Sequence, residues 1–219
     1  MTMAEEDTNV TRALRALENS DSSVRLRAAM AIGMAPDPEF VDGLIERSAV
    51  EPEFFVRDML TWALTCHPSD LTFPRLLAEL GSERAQARSQ SLHTLSKIGD
   101  RRAYPAITRD LLTDADDEVA RAAWRTAAGL VPEGGETDLA EVLITQLGRG
   151  GKDVRLSLSR ALIELGEVIV PLLRAARTHR DQDVRQHAIV TEKLLRDPKA
   201  GYDAAVEEAK RIVALGPES

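Results

Sequence analysis

Apolar residues recur along this chain at the three- and four-residue spacing of amphipathic helices. From Val154 to Leu165 they stand at positions 154, 158, 161, 162 and 165, which places them on one stripe of a helix. Gly166 follows that stripe, and Gly33 and Gly99 follow similar ones, so each glycine is predicted to end a helix. No segment alternates apolar and polar residues as a strand would, and no Asn-Gly turn joins two such runs. The pattern therefore predicts an all-α protein.

The helices are predicted to repeat in pairs. A signature of an acidic turn, a Val or Ala and then an Arg recurs, with its Val or Ala at positions 24, 56, 87, 119, 154 and 184. The copies lie 30 to 35 residues apart, and so regular a spacing is typical of repeats. The fourth copy departs from the signature, since Ala120 stands where Arg is expected. The second helix of each pair is predicted to bury one apolar residue at these aligned positions: Leu44, Leu76, Ile107, Val142 and Leu173.

Proline is predicted to start several second helices, because a helix's first turn does not need the missing N–H. The prolines concerned are Pro74, Pro105 and Pro171. Segments Val10 to Leu17 and Tyr202 to Leu215 are predicted to be helices that cap the two ends of the repeat array. We therefore expect a single domain over 1–219: an N-terminal cap at 1–20, six repeats at 21–197, and a C-terminal capping helix and tail at 198–219.

The signature resembles a known family. Asp-x-x-Val-Arg, an Ala-rich helix ending near a glycine, and then Pro-x-Leu are similar to the bacterial HEAT-like repeat of the phycobilin-lyase type, over roughly residues 10 to 196. The chain also resembles actinobacterial HEAT-repeat proteins. The resemblance implies a right-handed α-α superhelix, an α-solenoid of about six helical-hairpin repeats. It implies no activity, because such repeats serve many unrelated tasks.

In solenoids of this kind the signature arginine bonds an acid or a carbonyl at the junction with a neighbouring repeat. The resemblance therefore predicts a structural ladder rather than a basic binding stripe. Its members are Arg25, Arg57, Arg88, Arg155 and Arg185.

The charge balance bears on the partner. Lys and Arg number 28 against 36 Asp and Glu, a net charge of −8, which argues against a general binder of nucleic acids or anionic membranes. Residues 149–196 hold 10 cations against 6 acids, so nucleic-acid binding by the C-terminal repeats stays open as an alternative.

No apolar run has transmembrane length, the N-terminus lacks the pattern of a secretory signal, and the single cysteine, Cys66, allows no intramolecular disulfide. These features predict a cytoplasmic protein.

The sequence contains no pattern of a catalytic, metal or cofactor site. Cys66-His67 has no partner motif with metal-ligand spacing, and no phosphate-binding loop or nucleophile elbow is present. We therefore expect no metal, no cofactor and no enzymatic activity, and a bilin-lyase-like enzyme is the least favoured alternative. Trp62 and Trp124 are predicted to be core residues, with stacking on a ligand left open.

The function predicted from the architecture is that of a non-catalytic scaffold or adaptor. In a superhelix of helix pairs the second helices line the concave face, where a protein or peptide partner binds. The exposed charges expected there are of both signs, which suits a protein partner better than a polyanion. The candidate contact residues are Arg47, Arg75, Glu79, Arg109, Asp110, Glu141, Arg174 and Arg177. We expect a monomer or a weak oligomer.

Overall fold

The protein is all-α in the part of the chain that the structure describes. A computed structural model describes residues 3–199 and 201–215, with side chains over 9–199 and 201–214. These residues form helices, turns and bends and no strand, which confirms the predicted class. The predicted C-terminal tail at 216–219 lies outside the described residues. The chain divides into two compact units, Met1–Ala106 and Ile107–Ser219.

The first unit consists of helices in two layers. Its α-helices are α1 (Met3–Leu17), α2 (Ser22–Met34), α3 (Val41–Ser48), α4 (Phe54–Cys66), α5 (Ser69–Glu79) and α6 (Ala85–Ile98). Helices α2, α4 and α6 pack side by side, and α3 and α5 pack on one another and on that row. Helix α1 packs on α2. Short 3₁₀ helices span Pro38–Phe40 and Arg101–Ala106.

The second unit has the same arrangement. Its helices are α7 (Arg109–Leu112), α8 (Asp117–Leu130), α9 (Glu136–Ile144), α10 (Lys152–Glu164), α11 (Val170–Ala176), α12 (Gln182–Arg196) and α13 (Tyr202–Leu215), with a 3₁₀ helix at Gly166–Ile169. Helices α8, α10, α12 and α13 form one row, and α7, α9 and α11 form the other. In each unit, first and second helices therefore pack in the manner of a helical repeat. Among the described residues, no helix is long and apolar enough to cross a membrane.

Three of the six signature turns start first helices with a capping aspartate, whereas α4, α6 and α10 begin without a side-chain cap. The side chain of Asp21 accepts a hydrogen bond from the Ser23 N–H at 2.8 Å, and that of Asp116 accepts one from the Glu118 N–H at 2.9 Å. Asp181 caps α12 in the same way. An N-cap carboxylate satisfies an N–H group that has no partner within the helix, so these three helices begin where the chain places its aspartates.

Burial is predicted correctly at four of the five seam positions, but Ile107 lies in a bend between the 3₁₀ helix Arg101–Ala106 and α7 rather than in a second helix. Leu44, Leu76, Ile107 and Leu173 are buried, as is the whole predicted stripe of α10. Val142 is wrong by one residue, since it is half-buried and its neighbour Leu143 is completely buried. The reason is the register of α9, which turns Leu139, Ala140 and Leu143 toward the core.

Two of the three predicted helix-ending glycines are confirmed. Gly99 and Gly166 take φ angles of 73° and 76°, the left-handed conformation that suits a helix end. The prediction for Gly33 is wrong, because α2 continues through it to Met34. A Cβ at Gly33 would lie 2.8 Å from Cε3 of Trp62, so this glycine instead permits the close approach of α4.

The predicted role of proline holds at one position. Pro171 lies in the first turn of α11 as expected. Pro74 lies inside α5, which begins five residues earlier at Ser69, and Pro105 lies in a 3₁₀ helix, so those two predictions are wrong. As the sixth residue of α5, Pro74 has no N–H to donate to the Asp70 carbonyl, so the helix lacks one intrahelical hydrogen bond there.

Candidate functional site

The guanidinium groups of four ladder arginines hold the turn before their own helix. Nη1 of each donates to the carbonyl oxygens of the residues six and five positions earlier, at 2.6 to 3.2 Å. These four are Arg25, Arg57, Arg88 and Arg185. Arg155 differs, since its Nε donates to the Gly150 carbonyl and its guanidinium pairs with Asp183. Groups engaged in this way support a structural role, because each satisfies carbonyls that the turn leaves without partners.

Glu51, in the turn before α4, is bound to arginines of α2 and α3 through a buried ion-pair network. Its carboxylate accepts two hydrogen bonds from Arg25, both at 2.7 Å, and one from Nε of Arg47 at 2.8 Å. The Glu53 N–H donates to it as well. Burial alone would raise the pKa of Glu51, but these hydrogen bonds outweigh burial and lower the pKa to about 2. Sequence reasoning missed Glu51, whose only local signal is its place in the acidic turn before Pro52.

In the first unit the predicted contact residues are mostly engaged within the protein. The Arg47 side chain is 12% exposed and pairs with Glu51, with Glu18 3.5 Å away. Arg75 is exposed and pairs with Asp42 at 3.3 Å, while Glu79 is half-buried on α5. Arg47 and Arg75 are therefore already ion-paired and Glu79 is half-buried, so these three residues do not form an exposed set of unpaired charges.

In the second unit the structure brings four predicted contact residues to one row of helices. Arg109 and Asp110 lie on α7, Glu141 on α9 and Arg174 on α11, and α9 packs between the other two helices. All four side chains are exposed, and none makes an ion pair with another residue in the described part of the chain. The fifth, Arg177, pairs with the nearly buried Glu192 at 3.0 Å.

Most cations of the basic C-terminal region face carboxylates. Ion pairs engage six of the ten cations at 149–196: Arg149 with Asp117, Lys152 with Asp203, Arg155 with Asp183, Lys193 with Glu208, and both Arg177 and Arg196 with Glu192. A cation paired in this way attracts a nucleic-acid phosphate much less strongly. The local excess of positive charge therefore produces only a weak field for a polyanion.

A groove of about 390 Å³ lies between the start of α10 and helices α12 and α13. Its cations, Lys152, Arg155 and Lys210, each pair with an acid, so the groove has no surplus charge for an ionic ligand. Within the described residues, no group of three or more His, Cys, Asp or Glu side chains is placed to hold a metal ion.

His187 is buried beside this groove and is fully engaged by its neighbours. Its Nδ1 accepts the Gly148 N–H at 3.1 Å, which leaves the proton on Nε2, 2.9 Å from the Arg155 carbonyl oxygen. Nε2 also lies 3.0 Å from Oγ of Ser159. Burial lowers the pKa of His187 to about 4, so the ring is neutral at pH 7. These contacts give His187 a structural role in holding α10 and α12 together.

The two tryptophans differ in their surroundings. Trp124 is completely buried, as predicted, and its Nε1 donates to the Leu112 carbonyl oxygen at 2.7 Å. Trp62 is 41% exposed, so its assignment to the core is wrong. The six-membered ring of its indole lies against Gly33 of α2, while 41% of the residue stays exposed.

Trp62 belongs to a group of exposed apolar residues on α2 and α4, which we call the α2–α4 apolar cluster. The cluster consists of Met30 and Met34 on α2 with Phe54, Phe55 and Trp62 on α4. Sequence reasoning missed this cluster. A signal was present, because Phe54 and Phe55 are large apolar residues that lie outside the buried stripe of α4. Exposed large apolar side chains grouped on two neighbouring helices make this side of the first unit a candidate interaction surface.

Comparisons with known proteins add little to these observations. No family model matches this chain, and no curated protein matches it. A solved structure to which the chain is similar is that of an engineered protein from the Northeast Structural Genomics Consortium. The two are 19% identical over 93% of this chain and 97% of the other, with a TM-score of 0.46. The class of protein is therefore defined by its own helix packing: an all-α chain of paired helices in two compact units.

Proposed function

We propose that this chain is a non-catalytic, cytoplasmic protein-binding scaffold built from about six HEAT-like repeats in a right-handed superhelix. The observation that supports a protein partner is the set of four exposed charges on the second helices of the second unit: Arg109, Asp110, Glu141 and Arg174. We refer to them as the α7–α11 charge set. They lie on neighbouring helices and carry both signs.

The signs of the charge set favour a protein or peptide over a nucleic acid. A partner surface with an acid opposite Arg109 and Arg174 and a cation opposite Glu141 would satisfy each charge. A phosphate backbone would be repelled by Asp110 and Glu141, while most other cations of this unit are already paired. Charges at such a surface set the orientation of the partner and its association rate more than the final affinity.

The test is capture of partners from an extract of the native organism, with nuclease treatment and identification by mass spectrometry. We expect a partner protein that survives nuclease and is lost when the charge set is reversed by Arg109→Glu, Glu141→Arg and Arg174→Glu together. The matched control is Arg160→Glu on α10, an exposed arginine without an ion pair to the described residues. The control should retain the partner.

Three outcomes would contradict the proposal. A partner that the triple variant retains would show that the charge set is not its contact surface. A partner lost equally with Arg160→Glu would show a nonspecific response to charge. Partners that disappear with nuclease would instead favour nucleic-acid binding by the C-terminal repeats.

A further inference from the structure

The α2–α4 apolar cluster lies along two helices that pack on each other. Trp62 covers Gly33, which stands between Met30 and Met34 on the neighbouring helix. Phe55 precedes Trp62 by seven residues, about two helical turns, so both lie on one face of α4. Phe54 touches Phe55 edge to face, with ring centroids 5.6 Å apart. The exposed apolar side chains therefore form two groups, Phe54 with Phe55 at the start of α4, and Trp62 beside the end of α2.

Two unpaired charges of opposite sign accompany the cluster. Arg27 lies on α2 two turns before Met34, and Asp58 lies on α4 between Phe55 and Trp62. Both are exposed, and neither makes an ion pair with any residue that the structure describes. The cluster thus has an exposed cation along α2 and an exposed anion along α4, while the half-buried Arg57 lies over the Phe54 ring and donates to backbone carbonyls.

We propose that a second copy of this chain covers the α2–α4 apolar cluster in a two-fold symmetric dimer. In a two-fold interface the same patch of both copies meets, so the patch must be complementary to itself. If residue i of one copy contacts residue j of the other, then j of the first copy contacts i of the second. Apolar side chains satisfy this condition by packing on each other. The two exposed charges satisfy it when Arg27 of one protomer faces Asp58 of its partner and the reverse pair forms across the axis.

The exposed area agrees with a weak dimer. Phe54, Phe55 and Trp62 are 65%, 75% and 41% exposed, which at roughly 200 Å² for each side chain leaves about 350 Å² of aromatic surface on one copy. Met34, at 74% exposure, and Met30 add to it. Pairing two copies buries this surface twice and reaches about 1,000 Å², the lower limit for a specific interface. Interfaces at this lower limit belong to weak and transient complexes, so we expect a weak, reversible dimer.

This inference does not depend on the proposed function, because the cluster lies in the first unit and the α7–α11 charge set in the second. Its test is the mass of the full chain in solution, measured by light scattering and sedimentation velocity from about 1 µM to about 300 µM. We expect a reversible monomer–dimer equilibrium. Phe55→Glu and Met34→Glu should each give a monomer over the whole range, because a buried unpaired carboxylate opposes association.

The charge pair gives the sharper test. Arg27→Asp alone and Asp58→Arg alone should each weaken the dimer by at least about tenfold, because like charges then face each other across the axis. The double variant should recover affinity to within about threefold of the parent, because the opposite charges are restored. Exposed residues carry these changes, so the helical circular dichroism and the melting temperature should stay near those of the parent.

The matched control is Leu71→Glu, which places a carboxylate at an exposed apolar residue on α5, outside the cluster. It should leave the dimer unchanged. A parent protein that stays monomeric at the highest concentration overturns the inference. So does a dimer that responds equally to Leu71→Glu and Phe55→Glu, or a double charge variant no better than either single one.

Discussion

Arg25 and Glu51 form a buried bidentate ion pair, in which Nε and Nη2 of the arginine each lie 2.7 Å from a carboxylate oxygen. The two residues are 26 positions apart and link the start of α2 to the turn before α4. Arg25 also donates to the carbonyl oxygens of Asn19 and Ser20. The pair therefore connects the turn before α2 to the turn before α4, and Glu51 has no exposed surface.

Removing the negative charge of Glu51 should destabilise the protein strongly. Glu51→Gln leaves Arg25 buried without its counter-charge, and breaking one side of a buried pair costs about 3 to 5 kcal/mol. The measurement is the free energy of unfolding in urea at pH 7. Asp42→Asn, which removes an exposed pair with Arg75, is the control and should cost less than about 1 kcal/mol. Equal losses for the two variants would show that the Glu51 network does not stabilise the fold.

Acidification should weaken the second unit through His187. The pKa of His187 is about 4 in the folded protein against 6.5 as its ordinary value, so the unfolded chain takes up a proton first. The stabilisation by the neutral ring is full above pH 6.5 and is lost as the pH falls toward 4, a change of about 3 kcal/mol. Unfolding free energies measured between pH 7 and pH 4 should show this decline.

The His187→Gln variant should lose this pH dependence, because its side chain does not titrate. His179→Gln, at an exposed histidine in the turn before α12, is the matched control and should keep the decline. A decline of the same size in His187→Gln would assign it to other groups. The effect of Glu51 on stability is distinguished from that of His187 by its pH range. Because its pKa is lowered, Glu51 loses its contribution only as the pH falls from about 4.5 toward 2.

A methyl group at Gly33 should displace Trp62. The added Cβ of Gly33→Ala would lie 2.8 Å from Cε3 of the indole, too close for packed atoms. We expect a red-shifted tryptophan emission and a loss of about 1 to 3 kcal/mol in unfolding free energy, since overpacking forces the ring or α2 to move. Trp124 is completely buried in the second unit and supplies a background emission. Gly81→Ala, whose Cβ would meet nothing closer than 3.7 Å, should change neither quantity in this way.

The indole N–H of Trp124 should contribute measurably to stability. Trp124→Phe keeps an aromatic ring but leaves the Leu112 carbonyl without its donor at 2.7 Å, which costs about 1 to 3 kcal/mol for a buried acceptor. Thermal and urea unfolding measure the loss. The same substitution at the partly exposed Trp62 removes no hydrogen bond to the described residues and should lower the free energy of unfolding by less. If both substitutions have the same effect, the buried hydrogen bond makes no distinct contribution.

Much of the fold could be predicted because the relevant signals are local. The apolar stripe of α10, the helix ends at Gly99 and Gly166 and the extent of α13 all follow from residues within a few positions of each other. The predictions that proved wrong depend on neighbours distant in sequence. Gly33 continues its helix because a tryptophan from α4 rests on it, and α9 buries Leu143 rather than Val142 because of how it packs on its neighbours.

The candidate site was predictable only in part for the same reason. The sequence indicated charged second helices but could not distinguish Arg174, which is unpaired among the described residues, from Arg177, which pairs with Glu192. Glu51 and the α2–α4 apolar cluster were missed, because neither has a motif. An acid is recognised as a partner of Arg25 only when the packing brings the two together.

The sequence by itself determined that the chain is helical, that its helices repeat in pairs, and where many of them begin and end. These properties depend on apolar periodicity, capping aspartates and helix-ending glycines, whose effects act within one or two turns. Only the tertiary structure decided which side chains are buried, which charges are paired and which apolar residues stay in water. Those outcomes depend on which helices pack together, because burial and ion pairing involve residues from different helices.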